Sequence, residues 1–329
     1  MSNFWQQLPK PFFALAPMED VTDTVFREVV AGMSDPSFLQ VLYTEFASVD
    51  GLNHPVGKKN VVHRLLVSQS ERALLKQKNI RLVVQIWGKN PELFSKIARE
   101  ITEEFDCDGI DVNMGCPVKK VVKNGCCSAL IDQPDLAKEI ILATKEATYL
   151  PVSVKTRTGI RMHETDRWMT TIMETRPAAV ILHGRTQKQQ SDGLADWNEI
   201  GKGVLIKNAM SPETFFVGNG DVSSVAQGIE LSEKYGLDGI MVGRGIFHNP
   251  WFFQPNHPAP LKTERLTQLL FHTQLFEKTW GSKKSINILK RFYKIYTSDF
   301  TDASKLRVQL MEARSYEEIY SILHKELNL

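Results

Sequence analysis

The chain has 329 residues and a formal net charge of only +2, with 42% hydrophobic and 24% charged residues. This composition is typical of a globular protein and excludes a disordered, collagen-like or strongly polycationic chain. No apolar run approaches the ~20 residues that span a bilayer, and the first residues lack the features of a signal peptide. We therefore expect a cytoplasmic protein without a membrane segment.

Eight short apolar runs follow one another along the chain, and most are separated by segments with helical spacing. The predicted strands are residues 12–16, 41–46, 82–87, 109–114, 152–156, 178–182, 215–217 and 239–242. The predicted helices are residues 91–105, 134–147, 166–174 and 222–235, together with one through Val30 that Thr22 or Asp23 can cap. Eight such units over ~250 residues favour the (β/α)8 TIM barrel, an α/β fold, over an open sheet. One connection differs, because residues 61–67 have the pattern of an extended hairpin segment.

The composition changes after Asn249-Pro250, where three prolines lie within six residues. We place a domain boundary there and expect a catalytic barrel over residues 1–255 and a smaller domain over residues 256–329. Apolar residues in the second part follow helical spacing at 266–276 and 288–295, and Ser315-x-x-Glu318 has the form of a capping box. The tail is therefore predicted to be a small C-terminal helical bundle.

The segment GIDVNMGCPVKKVVKNGCCSALI, residues 109–131, places a thiol where a predicted strand ends. Its first residues alternate between apolar and polar side chains, and Cys116 precedes Pro117, whose fixed φ makes the chain turn. Residues 112–131 contain Lys119, Lys120 and Lys123 but no acidic residue. A thiol beside a cationic loop suggests chemistry on an anionic or nucleotide substrate.

Two chemical roles for Cys116 remain open at this point, beyond that of a small buried apolar residue. At its ordinary pKa of ~8.5 the thiol is mostly protonated at neutral pH and can act as a general acid. The neighbouring lysines can instead lower that pKa and favour a nucleophile. The other cysteines, Cys107, Cys126 and Cys127, are interpreted as packing residues of a reduced protein, and their spacing does not predict a metal site.

Polar residues of functional type stand at the carboxyl ends of the predicted strands, where the active sites of such barrels lie. In chain order these positions are Pro17, Met18, Gln85, Asn113, Lys155, Arg157, His183 and Arg185, followed by the loops at 218–221 and 243–245. The two glycine-containing loops predict a phosphate site, because glycines let backbone N–H groups reach an anion. A phosphate-bearing cofactor is therefore expected.

An ammonium group on an apolar strand, as at Lys155, is unfavourable unless a partner takes its charge. A reduced flavin, which is negative near N1 and the C2 carbonyl, is such a partner. Gln85 can pair with the amide-like edge of the same ring, and His183 with the ring or the ribityl chain. Each residue alone can be an ordinary buried polar group, so it is their convergence that favours a cofactor site.

Together these residues resemble the tRNA-dihydrouridine synthases, a family of FMN-dependent barrel enzymes that reduce uridine in tRNA. The similar segments cover essentially the whole barrel in order: ALAPMEDVTDTVFR, GIDVNMGCPVKKVVKNG, VSVKTRTG, ILHGRT with ADW, VGNGDV and DGIMVGRGIFHNPWFF. The resemblance implies that Cys116 is the catalytic acid and that Asn113 and Arg157 face the substrate base or the RNA. The positions it implies as flavin contacts are Pro17, Met18, Gln85, Lys155, His183, Asn219, Gly220, Gly243 and Arg244.

Two segments depart from the family pattern. Cys126-Cys127 stands where the family usually has glycine or alanine, which bears on how the loop after Cys116 packs. In the tail, Lys290-Arg291-Phe292 stands where the family often has an Arg-Lys-His cluster, which bears on how tRNA docks.

Residues 278–294 contain six basic residues and no acidic one, interleaved with Trp280, Phe292 and Tyr293. Phosphate contacts together with aromatic surface suit an RNA-binding face, for which we select Lys290, Arg291 and Lys294. A solvated helix face that covers an apolar core has the same composition, and it is the alternative interpretation.

We therefore expect an FMN-dependent oxidoreductase that takes its electrons from NADPH or NADH. The expected reaction is hydride transfer from the reduced flavin to C6 of a uracil in tRNA, with protonation of C5 by Cys116. Because the base is stacked in folded tRNA, it must be extruded into the barrel mouth, with Lys119, Lys120 and Lys123 as RNA contacts. The sequence predicts no metal and no obligate protein partner, and it does not specify which uridine is modified, the preferred nucleotide or the oligomeric state.

Two other functions are compatible with parts of the sequence. A small-molecule pyrimidine oxidoreductase of the dihydroorotate-dehydrogenase type would use the same chemistry, and the basic tail argues against it. An RNA-binding protein on an inactive barrel would require a degraded flavin site, whereas Lys155, His183 and both glycine loops are present.

Overall fold

The structure is a computed structural model that describes residues 3–329. Eight parallel strands pair in sequence order and close into a barrel through the β1–β8 seam. They are β1 (Phe12–Leu15), β2 (Val41–Ser48), β3 (Arg81–Trp87), β4 (Gly109–Met114), β5 (Val152–Arg157), β6 (Ala179–His183), β7 (Phe215–Asn219) and β8 (Gly239–Val242). The predicted (β/α)8 TIM barrel is confirmed, and every predicted strand boundary lies within two residues of the observed one.

Helices follow the strands around the outside of the barrel. They are α1 (Thr24–Met33), α2 (Val49–Asn53), α3 (Pro55–Val61), α4 (Gln69–Lys78), α5 (Pro91–Glu104), α6 (Lys119–Lys123), α7 (Pro134–Glu146), α8 (Thr165–Met173), α9 (Trp197–Met210) and α10 (Val225–Tyr235). After β8 the chain continues into α11 (Lys262–Trp280), α12 (Tyr293–Tyr296), α13 (Ala303–Glu312) and α14 (Tyr316–Leu327). Short 3-10 turns cover Phe4–Gln7, Val62–Leu65, Cys127–Asp132, Arg244–Phe247 and Ile286–Arg291.

The helix boundaries follow from local capping. Of the two residues proposed to cap α1, Asp23 does so, because its carboxylate accepts from the Phe26 N–H at 3.0 Å. Helix α10 begins after Ser224, whose side chain accepts from the Gln227 N–H, and ends at Gly236 with φ of 69°. That left-handed φ is readily adopted by glycine.

The prediction of an extended segment at residues 61–67 is wrong. The chain there is helical, first in α3 and then in the 3-10 turn Val62–Leu65. Pro55 stands at the first turn of α3 and the His54 side chain accepts from the Gly57 N–H, so the helix begins before the apolar run that was interpreted as extended. Helices α2, α4, α6, α9 and α13 were not among the predicted elements.

The barrel interior is apolar at its amino-terminal end and polar at its carboxyl end. The 3-10 turn Phe4–Gln7 covers the amino-terminal end, where the buried Trp5 stacks on Phe4 with ring centroids 4.6 Å apart. In strand β4 the polar side chains of Asp111 and Asn113 are buried inside the barrel. The apolar side chains of this strand pack toward the helices. Polar groups therefore collect at the mouth.

The C-terminal helices pack against α1 beside the mouth. The Phe26 and Phe292 rings stack at 4.7 Å, and the Trp280 indole N–H donates to the Asp23 carboxylate at 2.7 Å. Trp280, Phe292 and Tyr293 are buried, so the prediction that they supply aromatic surface for RNA is wrong. They are core residues because the helical spacing of the tail directs them inward.

The capping box at Ser315 forms in part. The Ser315 hydroxyl accepts from the Glu318 N–H at 3.2 Å, as predicted, whereas the Glu318 carboxylate accepts from the Arg314 N–H at 2.7 Å rather than from Ser315. The boundary at residues 255/256 stays a prediction, and α11 begins six residues after it. Within residues 3–329, none of the helices is both long enough and apolar enough to traverse a bilayer.

Candidate active site

Two adjoining cavities open at the carboxyl ends of the strands, with volumes of about 570 and 210 Å³. Predicted flavin positions that line the larger cavity are Pro17, Met18, Lys155, His183, Asn219, Gly220, Gly243 and Arg244. The smaller cavity is lined by Gln85, Asn113 and Cys116, and it shares Pro17, Lys155, Arg157 and His183 with the larger one. The structure thus brings the predicted cofactor positions and the thiol to one mouth.

Lys155 lies inside the mouth, and within residues 3–329 no carboxylate forms an ion pair with it. Its Nζ donates to Asn219 Oδ1 at 3.1 Å, and the Asn219 amide in turn donates to the Met241 carbonyl at 2.9 Å. Burial, followed by repulsion from Arg157, lowers the pKa of Lys155 to about 8. The ammonium form therefore still predominates at pH 7.

His183 is neutral, because burial and the surrounding cations lower its pKa well below the usual value. Its Nε2 lies 3.2 Å from Arg185 NH1. Since a guanidinium group can only donate, Nε2 accepts and the ring proton resides on Nδ1. The Nδ1–H group is then the donor that the ring can offer to a ligand.

The loops after β7 and β8 form one wall of the larger cavity. Gly220 has φ of 137°, and a Cβ placed there would lie 2.4 Å from the Cβ of Ala195. The wall is held by Asp221, which binds Arg185 at 2.6 Å and Arg244 at 3.0 Å. Arg185 and Asp221 were noted at strand ends but given no role, and their pairing links two loops that are distant in sequence.

The lining of the larger cavity carries a net positive charge. Among the described residues that line it, Asp221 is the sole carboxylate, against the four cations Lys155, Arg157, Arg185 and Arg244. Field lines concentrate in such a cleft and favour an anion. The cavity is therefore suited to a ligand that bears phosphate.

Hydrogen bonds hold the turn that carries Cys116 on both sides. Asn113 Oδ1 accepts from the backbone N–H groups of Gly115 and Cys116, each at 3.0 Å. The Cys116 carbonyl accepts from the Ser128 hydroxyl at 2.8 Å, and the Gly115 carbonyl accepts from Arg157 Nε at 2.7 Å. Asn113 and Arg157, which were expected to face the base or RNA, thus hold the turn, and their role toward the substrate stays a prediction.

The interaction of the Cys116 thiol with the Cys127 thiol, followed by the backbone N–H of Val118, lowers the pKa of Cys116 to about 7 against the opposing effect of burial. Burial, followed by the interaction with Cys116, raises the pKa of Cys127 well above the usual value. The interpretation of Cys127 as a packing residue stays a prediction, and Cys127 is buried as that interpretation requires. Its position depends on a left-handed backbone at φ of 54°, which sequence spacing does not reveal.

We expect Cys127→Ala to raise the pKa of Cys116, because the variant removes a donor that favours the thiolate. The rate of alkylation of Cys116 by iodoacetamide, followed against pH by peptide mass spectrometry, measures this. The midpoint near pH 7 in the parent protein should move to higher pH. Cys126→Ala is the control, since the Cys126 thiol contacts the Asn124 carbonyl instead. An unchanged midpoint in Cys127→Ala would contradict the pairing.

Gln85 is completely buried and both ends of its amide are bonded. Its Nε2 donates to Asp111 at 2.7 Å, and its Oε1 accepts from Asn113 at 3.0 Å. The other oxygen of Asp111 accepts from the Ser153 hydroxyl at 2.6 Å. Asp111 and Ser153 were not predicted as site residues. The available signal was their strand register, in which Gln85 pairs with Asp111 and Asp111 with Ser153.

The basic residues of α6 and of the tail that were predicted to contact RNA do not line either of the two cavities. Lys119 and Lys120 are exposed on α6, next to the thiol turn. In the tail, Lys290 donates to the Met311 carbonyl at 2.7 Å, Arg291 pairs with Asp20 at 3.2 Å, and Lys294 is exposed. Their function in RNA binding stays a prediction.

Comparison with known proteins finds relatives that match nearly the whole chain. A family model described as dihydrouridine synthase matches residues 14–327. A probable tRNA-dihydrouridine synthase of Staphylococcus aureus (strain COL) is 42% identical over 323 residues, covering 98% of this chain and 94% of that protein. A probable tRNA-dihydrouridine synthase 2 of Bacillus subtilis is 40% identical, with coverage of 98% and 95%.

A solved structure supports the fold alone. The 6-hydroxypseudooxynicotine amine oxidase of Pseudomonas geniculata N1 superimposes with a TM-score of 0.53 at 12% identity, over 74% of this chain and 46% of that one. At this identity the likeness extends to the barrel and not to its chemistry.

Proposed function

The chain belongs to the dihydrouridine synthase family, and we propose that it is an FMN-dependent tRNA-dihydrouridine synthase. It would reduce the C5=C6 bond of uridines in tRNA with electrons from NADPH or NADH. One observation carries the proposal: a cationic cavity for a phosphate-bearing ligand adjoins a smaller cavity that contains a thiol of pKa about 7. The names of the relatives supply the substrate class.

The residues of the larger cavity fit FMN. Its volume of about 570 Å³ lies within the range usual for cofactor sites. Asn219, Gly220, Gly243 and Arg244 would hold the phosphate end, because a cradle without side chains at the glycines leaves room for an anion close to the backbone. Bound and reduced, FMN supplies the hydride.

Lys155 and His183 would orient the ring of the cofactor. Lys155 is a cation without a carboxylate contact, so an anionic ring edge would complete its pairing. His183 is neutral and can donate from Nδ1 without adding charge. Gln85 retains one amide hydrogen and one oxygen lone pair beyond its two bonds, so it can donate one further hydrogen bond and accept one.

Cys116 would deliver the proton to C5 of the uracil. With a pKa of about 7 the thiol is roughly half protonated at neutral pH, where general acids are most effective. The four hydrogen bonds that hold its turn fix the sulfur before the substrate arrives, which lowers the entropic barrier. The base must leave the tRNA stack to reach it.

The exposed lysines of α6 would bind the tRNA backbone beside the extruded base. We expect the triple variant Lys119→Ala, Lys120→Ala, Lys123→Ala to bind tRNA more weakly and to reduce the slope of log K against log salt by about 2–3. Fluorescence anisotropy at several salt concentrations measures both effects. Lys138→Ala, on α7 outside the barrel, is the control. Unchanged tRNA affinity with unchanged FMN content in the triple variant would remove these lysines from the interface.

The function itself is tested with the purified 329-residue chain. We expect a yellow protein that releases FMN on denaturation and converts uridine to dihydrouridine in unmodified tRNA, detected by mass spectrometry of nucleosides. The absence of flavin would contradict the proposal. Turnover of free orotate or uracil without RNA would instead identify the small-molecule alternative. Mapping dihydrouridine in tRNA from cells that lack the protein would identify the uridine modified.

A further inference from the structure

An unbroken series of hydrogen bonds crosses the barrel interior from Ser153 to the turn of Cys116. Ser153 and Gln85 donate to the two oxygens of Asp111, at 2.6 and 2.7 Å. Asn113 donates to Gln85 at 3.0 Å, and the other end of Asn113 accepts from the Cys116 N–H at 3.0 Å. All three residues between Ser153 and Cys116 are buried, with Asp111 and Gln85 completely so.

The Asp111 carboxylate and the Cys116 N–H determine which group donates in each hydrogen bond between them. An ionised carboxylate only accepts and a backbone N–H only donates. Gln85 must therefore turn its NH2 group toward Asp111 and its oxygen toward Asn113. Asn113 then turns its NH2 group toward Gln85 and its oxygen toward the Cys116 N–H. A single orientation of both amides satisfies every bond.

We propose that Asp111 is a positioning residue, whose ionised carboxylate stabilises the one orientation of the Gln85 and Asn113 amides that the N–H groups of the Cys116 turn also require, and thereby holds the Cys116 thiol in place. The inference rests on the proposed function, because the position of the Cys116 thiol is where the base would receive its proton. Gln85 is also a predicted flavin contact, so one buried carboxylate would align groups on the cofactor side and on the substrate side of the mouth.

The surroundings of Asp111 make its charge sensitive to pH. Gln85 from β3, Ser153 and Lys155 from β5, and Tyr43 from β2 face it, and Lys155 is the cation among them. Burial raises the pKa of Asp111 to about 6, against the lowering effects of Ser153, Gln85 and Lys155. Above pH 6 the carboxylate accepts both bonds. Below it, a protonated carboxyl that donates to Gln85 requires the Gln85 amide to reverse, whereas the Gly115 and Cys116 N–H groups still hold the Asn113 oxygen toward the turn, so one bond of the series is lost.

The variant Asp111→Asn keeps the shape but lets residue 111 present either an oxygen or an NH2 group. We expect turnover to fall about 10- to 100-fold, as for a misplaced catalytic group, with little change in KM for tRNA. Iodoacetamide should alkylate Cys116 faster in the flavin-free Asp111→Asn variant than in the flavin-free parent protein. The two proteins are compared at pH values that give the same fraction of Cys116 thiolate. Ser153→Ala is the matched control, because it removes the other bond to Asp111 and leaves the direction of the series intact.

A second measurement needs no variant. In 15N-labelled flavin-free protein, the side-chain NH2 resonances of Gln85 and Asn113 should change together through the titration of Asp111, near pH 6. In Ser153→Ala they should still change together. Resonances that stay constant while the Asp111 carboxyl carbon titrates would overturn the proposal, as would equal losses of turnover in Asp111→Asn and Ser153→Ala.

Failure of this inference is distinguishable from failure of the proposed function. FMN content and uridine reduction of the parent protein test the function, whereas thiol reactivity and amide resonances are read without flavin or tRNA. A parent protein that is active but shows no linked titration would remove Asp111 from its positioning role and leave the function intact.

Discussion

Replacement of Cys116 by alanine is expected to lower the rate of uridine reduction by about 10²- to 10⁴-fold, the usual contribution of a positioned general acid. The expectation follows from the thiol turn, where Asn113, Ser128 and Arg157 fix the backbone around a thiol of pKa about 7. FMN content should not change, because the residues proposed to hold its phosphate lie on the loops after β7 and β8. Single-turnover conversion of tRNA measures the rate, and released flavin measures the content.

Two further variants separate acid chemistry from packing. Cys116→Ser keeps the size but offers a far weaker acid, so its loss should approach that of the alanine variant. Cys107→Ala is the control, since burial raises the pKa of Cys107 to about 12 and the residue lies before β4, away from the mouth. Near-normal activity in Cys116→Ala would exclude the acid role.

Replacement of Arg27 by methionine is expected to lower the free energy of unfolding by about 3–5 kcal/mol, as when one partner of a buried ion pair is removed. Arg27 and Glu71 are fully buried and join at 2.7 Å. Arg27 also donates to the carbonyls of Thr22 and Leu66, so it joins α1 to α4 and to the chain between them. Urea denaturation measures the change.

The pH dependence of this loss has a defined sign. Burial already raises the pKa of Glu71, and Arg27 opposes that rise. Without Arg27 the pKa of Glu71 rises further. The protonated Glu71 carboxyl then stabilises the folded variant at acid pH, and this stabilisation is lost as the pH rises through the pKa of Glu71. Lys138→Met, which breaks an exposed pair with Glu174, is the control and should leave the unfolding midpoint unchanged. A loss of stability that does not depend on pH would contradict the ion-pair explanation.

The barrel and its mouth were predictable because local signals and topology agree. Alternation and breaker residues gave β4 and β8 with their observed boundaries. Parallel strands that close into a barrel must place all their carboxyl ends at one mouth. Lys155 and His183, far apart in sequence, could therefore be assigned to a common site before any contact was known.

The features that were missed depend on tertiary contacts. The proximity of Cys127 to Cys116 depends on a left-handed residue within a loop, and the pairing of Arg185 with Asp221 depends on how two loops meet. Asp111 had the pattern of an ordinary polar strand residue, because alternation does not tell which face of the strand is the interior. In the tail, aromatic residues among lysines have the same sequence pattern whether they face RNA or the core.

The packing of the C-terminal helices on the barrel limits how the tail can be exchanged between related proteins. Their position is encoded as much in the barrel as in the tail, since Trp280 bonds to Asp23, Phe292 stacks on Phe26 and Arg291 pairs with Asp20. A tail transplanted from a relative would therefore need the matching α1 face to be transplanted with it. A chimera that carries both should pack its tail on the barrel as the donor protein does, whereas one that carries the tail alone should lose these three contacts.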